Sequence, residues 1–412
     1  MEERIQCGEW GSVESERWSR EWAPAAEDAS RLAWLADQRL LDLKHCPESR
    51  VRIAGRNFCG RMRLPSGALV EIASKVSLLP LIQWLAFTET LPELEEWDDS
   101  PTLGPDGNLV DALTLFFIQE LAHLTRFHGR HGYAQASTET AQFRGRLDGN
   151  QLARVAPRLP RLPCTYRERT MNTQANRVLA RALDAAWRLA DIPRLPEASR
   201  CTLDWLTNQW SAIERDLPSL DQALGQVLSR PPVGYRRAIR LARLLLKGVV
   251  VDAAGGDGGD IFLIKMSTVW EEGLRRILAR WAQARGYRFG DAKDRTKRWE
   301  DATNRDEPNR WLAVDAILLA KDRVVFDAKY KRGYGDESRD DRFQMAAYAM
   351  GFGASAAVLV YPTAVADERH RCLLRTAFPG VASRIVSLEL PMARGPEACG
   401  VAADRALDEL LR

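Results

Sequence analysis

Two apolar segments carry charges where a buried strand should carry none, and they constrain the fold of this chain most. Residues 310–320 (RWLAVDAILLA) and 323–331 (RVVFDAKYK) are rich in Val, Ile, Leu and Phe and are separated by a Lys-Asp pair. That is the pattern of two strands joined by a tight turn. Asp315 interrupts the first strand; Asp327 follows twelve residues later, with Lys329 two beyond it. Residues i and i+2 of a strand share a face, so Asp327 and Lys329 are neighbours, and a hairpin can set Asp315 beside them. Charges stay among such neighbours only when they pair or bind something. A structural Asp–Lys pair on a surface strand is the plain alternative, but the flanking residues are too apolar for an exposed strand. A hard cation accounts for the carboxylates, since Mg²⁺ takes one or two of them together with waters and phosphate oxygens. Such an ion acidifies bound water and steadies charge on a phosphodiester. A nearby Lys can orient that water or stabilise the developing oxyanion.

The segments around the hairpin predict an α/β layer. Residues 267–286 read as a helix, with Thr268 and Glu271 spaced as a capping box and Gly286 at its end. Residues 340–353 read as a second helix and 355–362 as a further strand. Helix–strand–strand–helix–strand is the order of an α/β domain.

Upstream the pattern differs. Residues 1–35 give no clear reading, whereas 50–55, 58–65 and 68–76 alternate or run apolar between Gly, Pro and Ser turns, as strands do. Residues 80–87 and 109–127 carry apolar positions at helical spacing. Helical patterns return at 173–190, 200–214 and 235–247, after a proline-punctuated extended linker at 157–164. The glycine-rich GGDGGD at 255–260 suits a hinge or loop. For 412 residues, two or three domains are expected. The sequence divides into a β-rich N-terminal domain (1–135), a helical basic middle (136–254) and a C-terminal α/β domain (255–412).

Composition excludes several classes. Apolar residues at 45% and charged residues at 28% argue against disorder. No apolar run is long enough for a transmembrane helix, and the polar N-terminus is unlike a signal peptide. Seven scattered cysteines without a CxxC pair predict a reducing cytoplasm rather than a disulfide framework or zinc ribbon. The net charge of +3 hides local imbalance: eight arginines face two acids between Arg144 and Arg177. That stretch reads either as a phosphate footprint or as solvated faces. Arg154, Arg158 and Arg161, in the proline-rich extended segment in and just ahead of that linker, are the candidate nucleic-acid contacts; Arg177, inside an amphipathic helix, is not. Arg144 and Arg146 either touch phosphate or a partner, or cap the preceding segment. His123, His128 and His131 suit a helix end better than a metal site, and Cys59 and Cys164 read as small apolar fillers.

VD(315)…D(327)AK(329) resembles the D…(D/E)xK pattern of the PD-(D/E)xK nuclease superfamily, with Val314 where a Pro usually stands. The resemblance makes Glu271, with Glu272 as fallback, the acid of the preceding helix and Gln344 the residue of the following one. The order of segments further resembles the McrC family, the nuclease subunit of the McrBC-type modified-cytosine restriction system, over residues 45–390. It rests on IAGRNFCGRMRLPSGALVEIASKV (53–76), FRGRLDGN (143–150), and YRERTMNTQANRVLARAL (166–183) with Glu168, Asn176 and Leu179. FLIKMSTVWE (262–271) and FDAKYK with FQMAAYA (326–331 and 343–349) complete it. The resemblance implies an α+β multidomain fold ending in a restriction-endonuclease-like domain and Mg²⁺-dependent cleavage of double-stranded, modified DNA. It implies Asp315, Asp327, Lys329, Glu271 and Gln344 as catalytic residues, with Asp315, Asp327 and Glu271 as metal ligands. It also implies a hexameric AAA+ GTPase partner, docked through residues 1–135, with a C-terminal fragment from 255 that folds alone. The chain has no phosphate-loop motif, so nucleotide hydrolysis, of GTP or ATP, belongs to another chain. A non-catalytic adaptor with a vestigial nuclease fold is the alternative.

Overall fold

A computed structural model describes residues 4–9, 17–89, 108–127, 131–147, 161–217, 219–247, 261–291, 293–298, 311–319, 322–331, 338–363, 371–377 and 383–410. Ten α-helices and five sheets among them make this a mixed α+β protein. The chain forms two compact units, one of residues 1–109 with 263–412 and one of 110–262. This grouping differs from the division at 135 and 254 read from the sequence, because the two ends of the chain share a core and the middle is inserted between them.

The N-terminal part of the first unit contains β1 (Arg4–Gly8), α1 (Ala26–Asp37), β2 (Leu41–His45), β3 (Val51–Gly55), β4 (Phe58–Arg63), β5 (Leu69–Ala73) and α2 (Leu78–Glu89). Strand β1 pairs in parallel with β5, and β5 pairs antiparallel with β4. Gly67, at φ +92°, closes the turn between β4 and β5, a conformation that costs a glycine little. The expected strands at 50–55, 58–65 and 68–76 are β3, β4 and β5.

The inserted unit has its own core. It contains α3 (Leu109–Phe127), β6 (Gly132–Thr140), β7 (Arg146–Leu147), β8 (Leu162–Thr170), α4 (Gln174–Leu189), α5 (Glu197–Gln209), α6 (Leu220–Ser229) and α7 (Arg236–Lys247). Thr173 caps α4 by accepting from the Asn176 amide, and Val178, Leu179, Leu183 and Ala186 fill the interior. The expected linker at 157–164 is corrected in part: Leu162 already begins β8, which runs antiparallel between β6 and β7. Arg161 is exposed just ahead of that strand, while Arg154 and Arg158 lie outside the described residues. Arg177 ion-pairs with Glu214, in keeping with an internal role, and Arg144 lies over the Tyr166 ring.

The returning chain completes the first unit. It contributes β9 (Ile261–Lys265), α8 (Met266–Ala284), β10 (Arg288–Phe289), β11 (Thr296–Arg298), β12 (Trp311–Ala313), β13 (Ala316–Leu319), β14 (Arg323–Ala328), α9 (Arg339–Phe352), β15 (Ala356–Pro362), β16 (Arg371–Ala377), β17 (Arg384–Leu390) and α10 (Gly395–Leu410). A six-stranded sheet runs in the order β10-β13-β14-β15-β17-β16. Strand β14 pairs antiparallel with β13 and parallel with β15 through α9, and all its residues after Arg323 are buried. A strand covered on both faces reads as a continuous apolar run, which is why Val324, Val325 and Phe326 precede Asp327. Met345, Tyr348, Ala349 and Phe352 of α9 pack with Val325, Leu359 and Tyr361 of the sheet.

Helix α8 starts at Met266 with Lys265 before it and no side-chain cap, so the Thr268 capping box is not formed. Gly286, at φ +71°, does follow its end. Trp84 of α2 meets Trp270 of α8 edge-on at 5.8 Å and donates its indole N–H to the Met392 carbonyl at 2.8 Å. Residues 1–109 are thus part of the core that supports α8. A fragment beginning at 255 would leave that face of α8 without Trp84.

Candidate active site

The break between β12 and β13 falls at Val314-Asp315, and this break sets the geometry. The Asp315 amide donates to the Phe326 carbonyl at 3.2 Å, and the Ala328 amide donates to Asp315 Oδ2 at 2.7 Å. The Asp315 carboxylate is thereby fixed across the end of β14 from Asp327. Arg275 of α8 and Arg295 both donate to the Asp315 carbonyl oxygen at 3.2 Å, tying the break to the elements around it.

Asp327 is buried, with 6% of its surface exposed. Its Oδ2 lies 2.7 Å from Lys329 Nζ, an ion pair at hydrogen-bonding distance that pulls the carboxyl down. Lys329 Nζ also donates to Gln344 Oε1 at 2.8 Å and lies 3.9 Å from Asp341 Oδ1. Gln344 Nε2 in turn donates to the Tyr348 hydroxyl at 2.6 Å, one helical turn along α9. Asp341 is held as a capping-box partner of Ser338 and by Lys331. Burial pushes the Asp341 carboxyl up, but Lys331 and the Ser338 bonds outweigh it and keep it below the ordinary range.

The charges of this cluster act on one another. Burial lifts the Asp327 carboxyl above its usual value, and Asp315 and Asp341 add to the rise against the pull of Lys329. Burial also lifts Glu271 of α8, with Asp315 and then Asp327 adding repulsion. Burial would lower Lys329, but Asp327 more than offsets it and the ammonium holds its proton tightly. Three carboxyls, Glu271, Asp315 and Asp327, therefore share one field, offset by Lys329 at Asp327 and by Lys265 and Arg275 at Glu271. Glu272, the fallback, ion-pairs with Arg275 and Arg276 on its own helix.

The residues suit a cation in one specific respect. Asp327 is a buried and Glu271 a half-buried carboxyl, each raised by burial and by neighbouring acids, and raised carboxyls are what a positive ion would relieve. Among the described residues no three carboxylate, imidazole or thiolate groups are drawn close enough to cage an ion by themselves. Mg²⁺ does not need such a cage, because it keeps several waters beside one or two carboxylates.

All five residues singled out in the sequence lie on or beside the β13–β14 hairpin, α8 and α9. Asp341, Lys331, Tyr348, Arg275 and Arg295 were missed. Asp341 had a readable signal, Ser338-x-x-Asp341 ahead of an apolar helix; the arginines had none, since only the fold aims them at the Asp315 carbonyl. Of the arginines proposed from the linker, Arg161 belongs to the inserted unit.

A family model described as the McrBC 5-methylcytosine restriction system component matches residues 53–362. Among solved structures, the fold resembles a chain of the Thermococcus gammatolerans assembly of McrB AAA+ hexamers with bound McrC, at 15% identity and a TM-score of 0.61. That match covers 98% of this chain and 100% of the other. A chain of the Thermococcus gammatolerans McrBC complex matches at 17% identity and a TM-score of 0.44, over 68% of this chain and 88% of that one. No curated protein matches the sequence. With three quarters of its length inside the family model, this chain belongs to the McrBC 5-methylcytosine restriction system component family.

Proposed function

We propose that the chain is the Mg²⁺-dependent DNA endonuclease subunit of an McrBC-type restriction complex, activated by a nucleotide-driven AAA+ partner. The observation that carries this reading is the buried Asp327 carboxyl paired with Lys329 and sharing its field with Asp315 and Glu271. The hairpin with α8 and α9 on the sheet supports a PD-(D/E)xK architecture. Asp315 and Asp327 would hold the ion, with Glu271 as the third acid. The bound ion supplies an acidified water and charge neutralisation at the scissile phosphodiester. Lys329, kept protonated by Asp327 and aimed by Gln344, presents positive charge to the oxyanion that develops.

The partner is proposed to be a hexamer like the McrB ring of the Thermococcus gammatolerans assembly, with the N-terminal part of this chain as its docking element. Double-stranded DNA carrying modified cytosine is the proposed substrate. Arg154, Arg158 and the exposed Arg161 are proposed as phosphate contacts. No described helix is long and apolar enough to cross a membrane, and the cytoplasm is the proposed compartment.

The test is plasmid cleavage by Asp315→Asn and Asp327→Asn in Mg²⁺ with the partner present. Asn keeps the side-chain volume and an acceptor for the Ala328 amide but removes the charge a cation needs. Both variants are expected to fold, bind the partner and leave the plasmid intact. Cleavage at the wild-type rate by either one refutes the site. A wild-type chain that stimulates the partner's nucleotide hydrolysis but never cuts DNA would establish the adaptor reading instead.

A further inference from the structure

A second polar cluster lies on the opposite side of the Asp327–Lys331 segment. Glu9, directly after β1, is fully buried. Its Oε1 accepts from the Lys75 amide at 2.7 Å, the Tyr330 hydroxyl at 2.8 Å and the Ser74 hydroxyl at 3.2 Å. Its Oε2 is buried without a hydrogen-bond partner. The Lys75 ammonium lies 3.6 Å from the centre of the Tyr330 ring, so the charge that offsets Glu9 also covers the tyrosine. All of these residues belong to the first unit.

A buried carboxyl is costly unless it is hydrogen-bonded or paired. Here Glu9 Oε1 is met by three donors, the phenol among them, while burial raises the carboxyl against the pull of Lys75. The phenol belongs to the residue next to Lys329. Asp327, Lys329 and Lys331 turn toward the acidic cluster, as their contacts with one another and with Asp341 show. Tyr330 turns the other way, into the N-terminal sheet. Strand β14 ends at Ala328, after which the Lys329 amide donates to the Val360 carbonyl at 2.9 Å. Past that bond, Tyr330 on one side and Lys331 on the other hold the backbone.

We infer that Glu9 is a positioning residue: through Tyr330 it fixes the backbone that carries Lys329, and so ties the N-terminal sheet to the acidic cluster. The inference rests on the nuclease reading for its consequence in cleavage, but its structural half stands apart from it.

The experiment uses the full-length chain with three variants. Tyr330→Phe deletes only the hydroxyl, Glu9→Gln keeps an acceptor but removes the charge, and Ser383→Ala deletes another buried hydroxyl bond of the same unit, to the Ala354 carbonyl. Amide hydrogen exchange of the 326–331 segment is measured first, without metal, DNA or partner. Tyr330→Phe is expected to speed exchange there, Glu9→Gln to do so less, and Ser383→Ala not at all. Single-turnover cleavage with the partner is then expected to fall about tenfold in Tyr330→Phe, with unchanged half-saturation by DNA, because a small misplacement of a reacting group acts on turnover. Ser383→Ala, matched for loss of melting temperature, is expected to cut at the wild-type rate. Unchanged exchange in Tyr330→Phe overturns the inference, as does a cleavage loss no greater than that of Ser383→Ala. If the wild-type chain does not cut DNA at all, the nuclease reading fails while the exchange result still decides the anchor.

Discussion

Gln344→Leu separates holding Lys329 from being Lys329. The substitution keeps side-chain volume and helix propensity but removes the acceptor for Lys329 Nζ at 2.8 Å and the donor to the Tyr348 hydroxyl at 2.6 Å. A hydrogen bond from a charged group is worth about 1.5–3 kcal/mol. Lys329 retains Asp327 at 2.7 Å and Asp341 at 3.9 Å, and its side chain is 21% exposed, so the low end applies. A loss of about 1.5 kcal/mol in placing the ammonium corresponds to about a tenfold slower chemical step. Lys329→Ala removes the charge itself and should cost about 10²–10³-fold. The assay is single-turnover plasmid cleavage under saturating partner and Mg²⁺, with melting temperature measured alongside. Gln344→Leu cutting within twofold of wild type would show that Gln344 does not aim Lys329. A variant as slow as Lys329→Ala would refute the reasoning from the other side, since Gln344 would then act on the reaction directly.

Two further predictions concern stability. Burial, with Asp315 and Asp341 adding to it, raises Asp327, so the folded chain holds that proton more tightly than the unfolded chain does. Stability from this group is therefore complete below its ordinary pKa of 3.8 and is lost as pH rises through the raised value. Metal-free Asp327→Asn should then melt above the wild type at pH 7 and converge with it toward pH 4; melting curves in chelator across that range check this, and a variant less stable at pH 7 contradicts it. Gly273 sits where a Cβ would come 2.4 Å from the Trp84 ring, and that ring is held by Met392 and Trp270. Gly273→Ala should therefore destabilise by about 1–2 kcal/mol, overpacking of about 1–3 kcal/mol being partly offset by the better helix propensity of Ala. It should also slow cleavage, because it displaces the helix that carries Glu271; denaturant melts showing a gain in stability would refute this.

The sequence by itself determined which charged residues would stand together at the hairpin. Strand period two in FDAKYK put Asp327 and Lys329 on one side, and the short hairpin put Asp315 beside them, because both relations are local and need no knowledge of the rest of the chain. Helices at 173–190 and 109–127 were legible for the same reason: their apolar spacing states which face is inside. What only the tertiary structure decided were relations between distant segments. That 1–109 and 263–412 form one unit follows from contacts such as Trp84 with Met392, 308 positions apart, and no local pattern encodes these. Capping at α8 went the other way from its sequence signal, since β9 runs straight into the helix at Met266 and Thr268 already lies inside it. Glu9 reads in the sequence as one more acid in a polar N-terminus. It becomes a buried partner of Tyr330 only because β1 pairs with β5 and brings residue 9 to the turn at Ser74-Lys75, where a charge without water must find donors.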